Sequence, residues 1–466
     1  MAALGAGSVF AARDPAAAAG VGRKRDRQRV AIIGAGAGGV AAAYFLADSH
    51  DVDLFEARSK IGGHCDTHVI DYRGHRLAID LGAQFFHPDT HPLYVALLEQ
   101  LGLYDPARPD ADETLAAPAS LCIFPTAGGA PTFSSSHPLS TPQQAIEFLT
   151  YLPLARHAVL SDLSWDTTVD AWVRRLPVTQ PFKDQIVYPW TTALIGCSRA
   201  DALTASARSI LQTFALEFPA NVAQGATTYN STIGLQGNLQ RMLNRSPGAR
   251  VHLSTAAHAL KHERCGWFVQ TRTGCRGPYG AVVLNAPPRD GRRLVHSLPN
   301  GAHLARLLDM YEYFDSRILI HTDPTYVQSD RTNWSTYNAG VEGRQCEGSV
   351  WYGALRPRLA SGQTIDVFKS WAERRRAEPK HILLERRFKH PHITRSTIKA
   401  ARALRPLQGR HGLYFSGQYT TGFDSQESAV YSAMKVAESL APRSGRLASL
   451  KRRLAARGLS GVSYEL

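Results

Sequence analysis

The stretch Arg29-Val-Ala-Ile-Ile-Gly34-Ala-Gly36-Ala-Gly38-Gly39-Val-Ala-Ala-Ala-Tyr44 decides the fold of this chain. A short apolar run stops at Gly34, and a small-residue helix is expected from Gly39 to Ala47. A second strand, Val52 to Phe55, ends in Glu56, which closes a βαβ unit of the expected length, about 30 residues. Gly34, Gly36 and Gly39 satisfy G-x-G-x-x-G in the context that the motif requires. Gly34 permits the tight turn, Gly36 lets the backbone approach a pyrophosphate, and Gly39 lets helix and strand pack closely. The helix N-terminus adds N–H groups and positive dipole for phosphates. Glu56, beyond the helix, is placed to accept hydrogen bonds from the ribose hydroxyls of an adenosine half. NAD and FAD share this loop, so the loop alone leaves both open.

Outward from this unit, 249–288 reads as a β-meander of four strands: Val251 to Leu253, Ala257 to His262, Trp267 to Arg272 and Ala281 to Ala286. Thr273-Gly274 and Gly277-Pro278 serve as turn residues between them. Gly412 to Ser416 reads as a buried strand, and a helix is expected from about Ser425 to Leu440. Two long stretches, 116–224 and 291–404, are richer in Trp, Tyr and Pro and form the natural inserted domain. The reading is α/β: a Rossmann-like domain with a β-meander, assembled from 29–115, 225–290 and 405–442, plus an α+β substrate domain. Residues 1–28 are expected to be a disordered basic tail, and 443–466 a basic C-terminal helix or tail. A chain of 466 residues exceeds what one core supports, so two domains sharing a ligand-binding seam are expected.

With 44% hydrophobic and 20% charged residues, the chain has no uncharged apolar window long enough to span a bilayer. The net charge of +14 is mostly scattered arginine, denser only at 23–29 and at 446–457, where Leu447, Leu450 and Leu454 recur at helical spacing. Solvated charge is the expected reading, with attraction to an anionic membrane or an acidic partner beside it, and no nucleic-acid partner. Six thinly spread cysteines without a CxxC suit a reducing, cytoplasmic setting. Residues 1–22, rich in Ala and Gly, lack a secretory pattern; a transit peptide stays open.

The segment Glu56-Ala57-Arg-Ser-Lys-Ile-Gly62-Gly63-His64-Cys65 resembles the second glycine doublet of the flavin amine oxidase and phytoene desaturase superfamily. Asp80-Leu-Gly82-Ala83-Gln84 resembles that superfamily's D-x-G-A stretch near the flavin. Thr255-Ala256-Ala257 and Leu284-Asn285-Ala286-Pro287 are similar to the segments that clasp the adenine. Tyr414-Phe-Ser416-Gly417-Gln418 is similar to the C-terminal F-A-G-E/D motif. His321-Thr-Asp323-Pro, Trp334-Ser-Thr-Tyr337-Asn338 and Lys389-His390-Pro391 resemble a narrower group, the predicted NAD/FAD-binding proteins, whose members also resemble the N-terminal part of plant cyclopropane fatty acid synthases. The resemblance implies a cofactor, FAD, held by Gly34, Gly36, Gly38, Gly39, Glu56, Ala57, Gly62, Gly63, His64, Gly82, Ala83, Gln84, Ala256, Ala286, Gly417 and Gln418.

The chain also departs from amine oxidases. Many of these place a lysine, through a water, at flavin N5, on the segment after the strand read at 281–288. This chain has no lysine between Lys261 and Lys369. The usual arginine after the doublet is His64, and the acid of the C-terminal motif is Gln418. No cysteine follows Cys346, which removes the attachment point some amine oxidases use, so the FAD is expected to be non-covalent. His64-x-x-x-His68 with Cys65 and Asp66 offers metal-binding residue types, but these overlap the flavin loop, and no metal is expected. Tyr188, Trp190, Trp334, Tyr337, Trp351, Tyr352 and Tyr419 suit the wall of a pocket for an apolar or conjugated substrate. Tyr419, His321 and Tyr337 are the candidates for a catalytic role.

The expected function is an FAD-dependent oxidoreductase that takes a hydride from a C–H or C–N bond of an apolar, acyl or polyene substrate. Oxygen or another acceptor would reoxidise the flavin. Three alternatives stay open: a redox-neutral double-bond isomerase, an amine oxidase with an unusual base, and a non-catalytic FAD-binding scaffold beside a lipid-modifying enzyme.

Overall fold

The computed structural model describes residues 27–466 apart from 112, 220, 222–223, 356–358 and 360–361. The N-terminal tail, and with it the transit-peptide question, lies outside the described residues. Five parallel strands form the first sheet in the order Leu413–Phe415, Ala281–Leu284, Arg29–Ile33, Asp51–Phe55, Ala249–His252. Alternation along Val30-Ala31-Ile32-Ile33 feeds two different cores. Val30 and Ile32 face the helices Ala37–Leu46, Gly234–Asn244 and Gln426–Leu440, while Ala31 and Ile33 face the meander side. All ten residues of Ala37–Leu46 are buried, and its small side chains let Gln426–Leu440 come close. A Cβ on Gly38 would stand 3.2 Å from the Ala429 carbonyl oxygen.

The meander differs from its sequence reading. Its three antiparallel strands are Ala257–Glu263, Gly266–Thr271 and Gly274–Tyr279, while Ala249–His252 and Ala281–Leu284 belong to the parallel sheet. Gly277-Pro278, read as a turn, lies inside the third strand, at a register shift opposite Trp267 to Val269. A proline is tolerated at such an irregularity because the ladder there does not require its missing N–H.

The second sheet has seven strands, in the order Ile382–His392, Glu312–His321, Phe368–Trp371, Gln345–Trp351, Tyr337–Glu342, Leu121–Pro125, Phe133–Ser134. One face, with Ala339 and Cys346, packs on the helices between Pro142 and Gln212. The other, with Ile318, Ile320 and Val350, packs on Leu77 and Ile79 from the hairpin Thr67–Tyr72 and His75–Asp80, and on Leu81 just after it. That hairpin therefore joins the two halves. Asp66 at its start is 1% exposed and takes Lys60 and His68 from its own side and Arg386 from the second sheet.

The basic C-terminal run is the helix Gly445–Ala456, and Leu447, Leu450 and Leu454 are buried in the first core. Its apolar side is spent on packing, and its arginines and lysines lie on the other side. Among the described residues no helix is long and apolar enough to cross a membrane.

Candidate active site

The sequence motifs converge on the C-terminal edge of the parallel sheet. Gly34 donates its N–H to the Phe55 carbonyl at 2.8 Å and turns the chain with φ +101°, a conformation that L side chains resist. Asn285, from the neighbouring strand end, donates Nδ2–H to the Gly34 carbonyl at 3.0 Å. The space is tight around both: a Cβ on Gly39 would stand 2.0 Å from the Gly34 oxygen and 2.8 Å from Asn285 Nδ2. Gly36 forms a parallel bridge with Gly62, and Gly62 N–H donates to the Ala35 carbonyl at 2.8 Å, so the second glycine doublet lies on the first loop. Gly63 comes within 3.2 Å of Gly36 Cα, measured from the Cβ it lacks.

Glu56 is held at the cradle's edge, one carboxylate oxygen accepting from Ala35 N–H at 2.8 Å and the other from Arg58 N–H at 2.9 Å. Ala57 beside it is exposed. Thr255 N–H donates to the Glu56 carbonyl at 2.7 Å, which brings Ala256 alongside, and Ala286 N lies 3.0 Å from where a Gly34 Cβ would be. On the far side Gly417, at φ +126°, donates its N–H to Ser432 Oγ at 3.1 Å.

A second group faces this cradle from the hairpin. The His64 carbonyl accepts from Ala83 N–H at 3.0 Å, and a Cβ on Gly82 would stand 2.0 Å from the same oxygen. The His64 ring meets Phe388 edge-on at 5.4 Å and lies parallel to His390 at 6.4 Å. Burial, then the charges of His390, Arg58 and Arg289, push its pKa down to about 3, so the ring is neutral.

Lys369 is the residue that the sequence reading missed. It is 1% exposed and donates from Nζ to the Gly82 carbonyl at 2.7 Å and to Gln84 Oε1 at 3.2 Å. Burial pushes its pKa down to about 7, against the opposing pull of Asp80. Asp80, itself pushed up to about 6 by burial, accepts from Thr67 Oγ1 and from Leu235 N–H at 3.1 Å. No lysine follows the strand at 281–284, yet a lysine arrives beside the D-x-G-A stretch from a strand of the other sheet. The one signal for it was a cation embedded in the strand Phe368–Trp371.

The three catalytic candidates each commit their polar atoms to the protein itself. Tyr419 donates its hydroxyl proton to the Leu284 carbonyl at 2.6 Å, and Tyr337 donates to that of Ala193 at 2.8 Å. His321 is 0% exposed, with Nδ1 2.8 Å from the Asp323 carbonyl and Nε2 2.8 Å from Ser370 Oγ. Burial pushes its pKa down to about 4. Tyr188 and Trp190 pack in the helical core, and Trp334 and Trp351 meet edge-on with Arg331 over both rings. His68 turns to Asp66 and Lys60, away from His64, and among the described residues no three His, Cys, Asp or Glu group together to hold a metal ion.

A glycine cradle at the edge of a parallel sheet, an acid at the end of the second strand and a three-stranded meander define a dinucleotide-binding flavoprotein fold. The chain belongs to the flavin-containing amine oxidoreductase family, whose model matches residues 37–310. It is an FAD-dependent oxidoreductase. Among solved structures it is similar to a CLA-producing fatty acid isomerase from P. acnes, at 14% identity and TM-score 0.61, covering 89% of this chain and 99% of that one. It is also similar to cyclohexylamine oxidase from Brevibacterium oxydans IH-35A, at 16% identity and TM-score 0.58, covering 89% and 99%. A putrescine oxidase bound to putrescine matches at 16% identity and TM-score 0.59, covering 90% and 99%. At these identities the likeness is one of fold. No curated protein matches the sequence.

The residues present fit FAD. The helix Ala37–Leu46 begins at Gly36 with no side-chain cap and no acid in its first turn, which leaves its N–H groups for phosphate oxygens. Ser416 Oγ, Gln418 Oε1 and Gln84 Nε2 are buried around the same cradle without a hydrogen-bond partner, as groups awaiting a polar ligand are.

Proposed function

We propose that the cradle from Gly34 to Gly39, with Glu56, the Gly62-Gly63-His64 turn, Gly82 to Gln84, Ala256, Ala286 and Gly417-Gln418, holds FAD non-covalently, and that the enzyme dehydrogenates an apolar substrate. Bound FAD supplies the hydride acceptor, and oxygen or another acceptor removes the electrons. The observation that carries this reading is Lys369, the ionisable group set on the apolar face made by Ile318, Ile320 and Val350, opposite Leu77, Ile79 and Leu81. The apolar packing of that core excludes water from the amine. Lys369, with a pKa near neutrality, takes up the proton that a substrate N–H or C–H loses as its hydride departs. Gly82 and Gln84 orient Nζ by accepting two of its protons, and the third donor position is where the amine exchanges a proton with the substrate. This lysine supports the amine-oxidising reading more than the sequence alone did.

The test is anaerobic mixing of the flavin-loaded protein with long-chain amines, acyl compounds and polyenes, following the blue flavin absorbance. Bleaching by one class assigns the substrate. Product formation with the flavin spectrum still oxidised at the end would point to double-bond isomerisation. A fully loaded protein that no class reduces would sink the catalytic reading and favour the scaffold. Heat denaturation should release FAD into the supernatant.

A further inference from the structure

On the helical side of the seven-stranded sheet, the face turned away from the glycine cradle, lies a cavity of about 420 Å³. It falls in the ordinary size range of small-molecule sites, about 300–1,000 Å³. Lys183 and Asp184 reach its lining from a single π-helical turn, Lys183–Val187, between the short helix Gln180–Phe182 and the helix Tyr188–Ile195. Such turns interrupt regular α-helix at a cost and recur at functional sites.

The charges around the cavity do not cancel. Four cations line it, Arg174, Lys183, Arg199 and Arg344, against two acids, Asp170 and Asp184. Asp170 accepts from Arg174 Nε at 3.0 Å, and Asp184 accepts from Arg199 at 2.7 Å and from Gln180 Nε2 at 2.8 Å, so each acid is matched. Lys183 is 8% exposed and donates to the Arg174 carbonyl at 3.1 Å, and among the described residues no carboxylate pairs with its charge. Arg344 is exposed and reaches Asp184 only through its field, a carboxylate already held below its usual range by Gln180 and Arg199. Arg199 lies flat on the Tyr188 ring at 4.4 Å, and its Nε, buried, has no acceptor. An anion in the cavity would offset the local excess of positive charge.

We infer that this cavity is a second ligand site, which takes a small multivalent anion carrying phosphate or carboxylate groups, held by Lys183, Arg199 and Arg344. The ligand does not take part in the flavin reaction, because the sheet stands between the cavity and Lys369. The helix that leaves the π-turn is tied to the sheet by the bond from Tyr337 to Ala193, so an occupied cavity also braces the substrate half.

Isothermal titration of the FAD-loaded protein with inorganic pyrophosphate, and separately with citrate, tests the site. Keeping FAD bound prevents either anion from entering the phosphate cradle. The expected result is one saturable site for at least one of the two anions, and the tighter of the pair identifies phosphate or carboxylate chemistry. Arg344→Gln, at an exposed position that folding does not require, should weaken binding about tenfold or more, as loss of one charged hydrogen-bonding partner does. Lys183→Gln should weaken it at least as much, with the flavin spectrum and content unchanged in both variants. The inference is overturned if neither anion saturates, if both variants bind as the parent protein does, or if binding displaces FAD. Because the readout is anion binding to a protein of verified flavin content, it can fail while the proposed dehydrogenation stands.

Discussion

Replacement of Lys369 by methionine separates a catalytic base from a merely buried cation. Methionine fills nearly the same volume but cannot ionise, so the apolar face with Ile318, Ile320 and Val350 keeps its packing. The Gly82 carbonyl and Gln84 Oε1 lose their donor, which costs about 1–3 kcal/mol for each acceptor left dry. Removing a buried ammonium offsets part of that sum, because charge in a low-dielectric site is itself unfavourable. Folding is therefore expected to survive, whereas the reaction should not. A positioned general base contributes roughly 10²–10⁴ in rate, or about 3–5 kcal/mol of barrier.

The sign of the pH dependence follows from the direction of the shift. With the amine pushed down to about 7, the neutral, proton-accepting form prevails above that value. Anaerobic flavin reduction, measured by stopped flow with a saturating substrate, should thus rise through neutrality and level off above it. In Lys369→Met the limb should vanish along with most of the rate. In Lys369→Arg, whose guanidinium stays protonated, the rate should be lost just as deeply although the positive charge is kept. His64 cannot produce the limb, because its ring is already neutral well below that range. A variant that reduces its flavin within about threefold of the parent rate, with the limb intact, would refute the assignment of the base.

Gly39→Ala should release FAD. Its Cβ would sit 2.0 Å from the Gly34 oxygen and displace the Asn285 side chain, so overpacking of about 1–3 kcal/mol and a lost hydrogen bond of about 1 kcal/mol predict a dissociation constant raised roughly 30- to 1,000-fold, measured by flavin fluorescence on dilution. Tyr419→Phe removes one of the two donors to the Leu284 carbonyl, which keeps the Ser416 N–H at 3.0 Å, and should lower stability by about 1 kcal/mol in thermal melts, while single-turnover flavin reduction stays near the parent rate. Loss of that reduction in a fully loaded, folded variant would restore Tyr419 as a catalytic residue. Acid should unfold the protein partly through Asp53: burial alone would raise its carboxyl, but hydrogen bonds from Arg250, His252 and Arg29 outweigh it and hold the carboxyl well below its usual range. The resulting stability is present above the ordinary carboxylate range and drains away as pH falls toward the depressed value, so Asp53→Asn should flatten the acid limb of a stability curve.

The cofactor half was legible because its constraints are local. A strand ending at Gly34, a turn that only glycine tolerates and an all-buried small-residue helix leave few alternatives within one short stretch. The meander was legible only in outline, since Gly277-Pro278 carries turn chemistry and yet sits in a strand, a placement decided by its antiparallel partner. Lys369 was out of reach for a related reason. Its neighbours Gly82 and Gln84 lie almost three hundred residues away, and only the order of the second sheet brings them together. The catalytic candidates were read from residue type and position, and the structure shows where their polar atoms are bonded. Tyrosine hydroxyls and imidazole nitrogens, once buried, must find partners, and in Tyr419, Tyr337 and His321 these are backbone carbonyls and a serine within the fold.

The two departures from the family's usual pattern at the cofactor loops bear on how the phosphates would be met. Where an arginine is usual, the His64 ring is held neutral down to about pH 3, so it supplies shape but no charge near neutrality. Arg58 and Arg289 are both close enough to depress that ring's pKa, and both are exposed, Arg58 reaching the Gly63 carbonyl at 3.3 Å. Positive charge at the doublet thus comes from exposed side chains on either side of the position where the family fixes one. At the C-terminal motif Gln418 contributes a buried, unpaired Oε1 in place of a carboxylate, which spares an anionic cofactor any repulsion there. On the proposed assignment the uncapped helix end and the glycine N–H groups carry most of the phosphate binding, with the arginines adding a field that salt can screen.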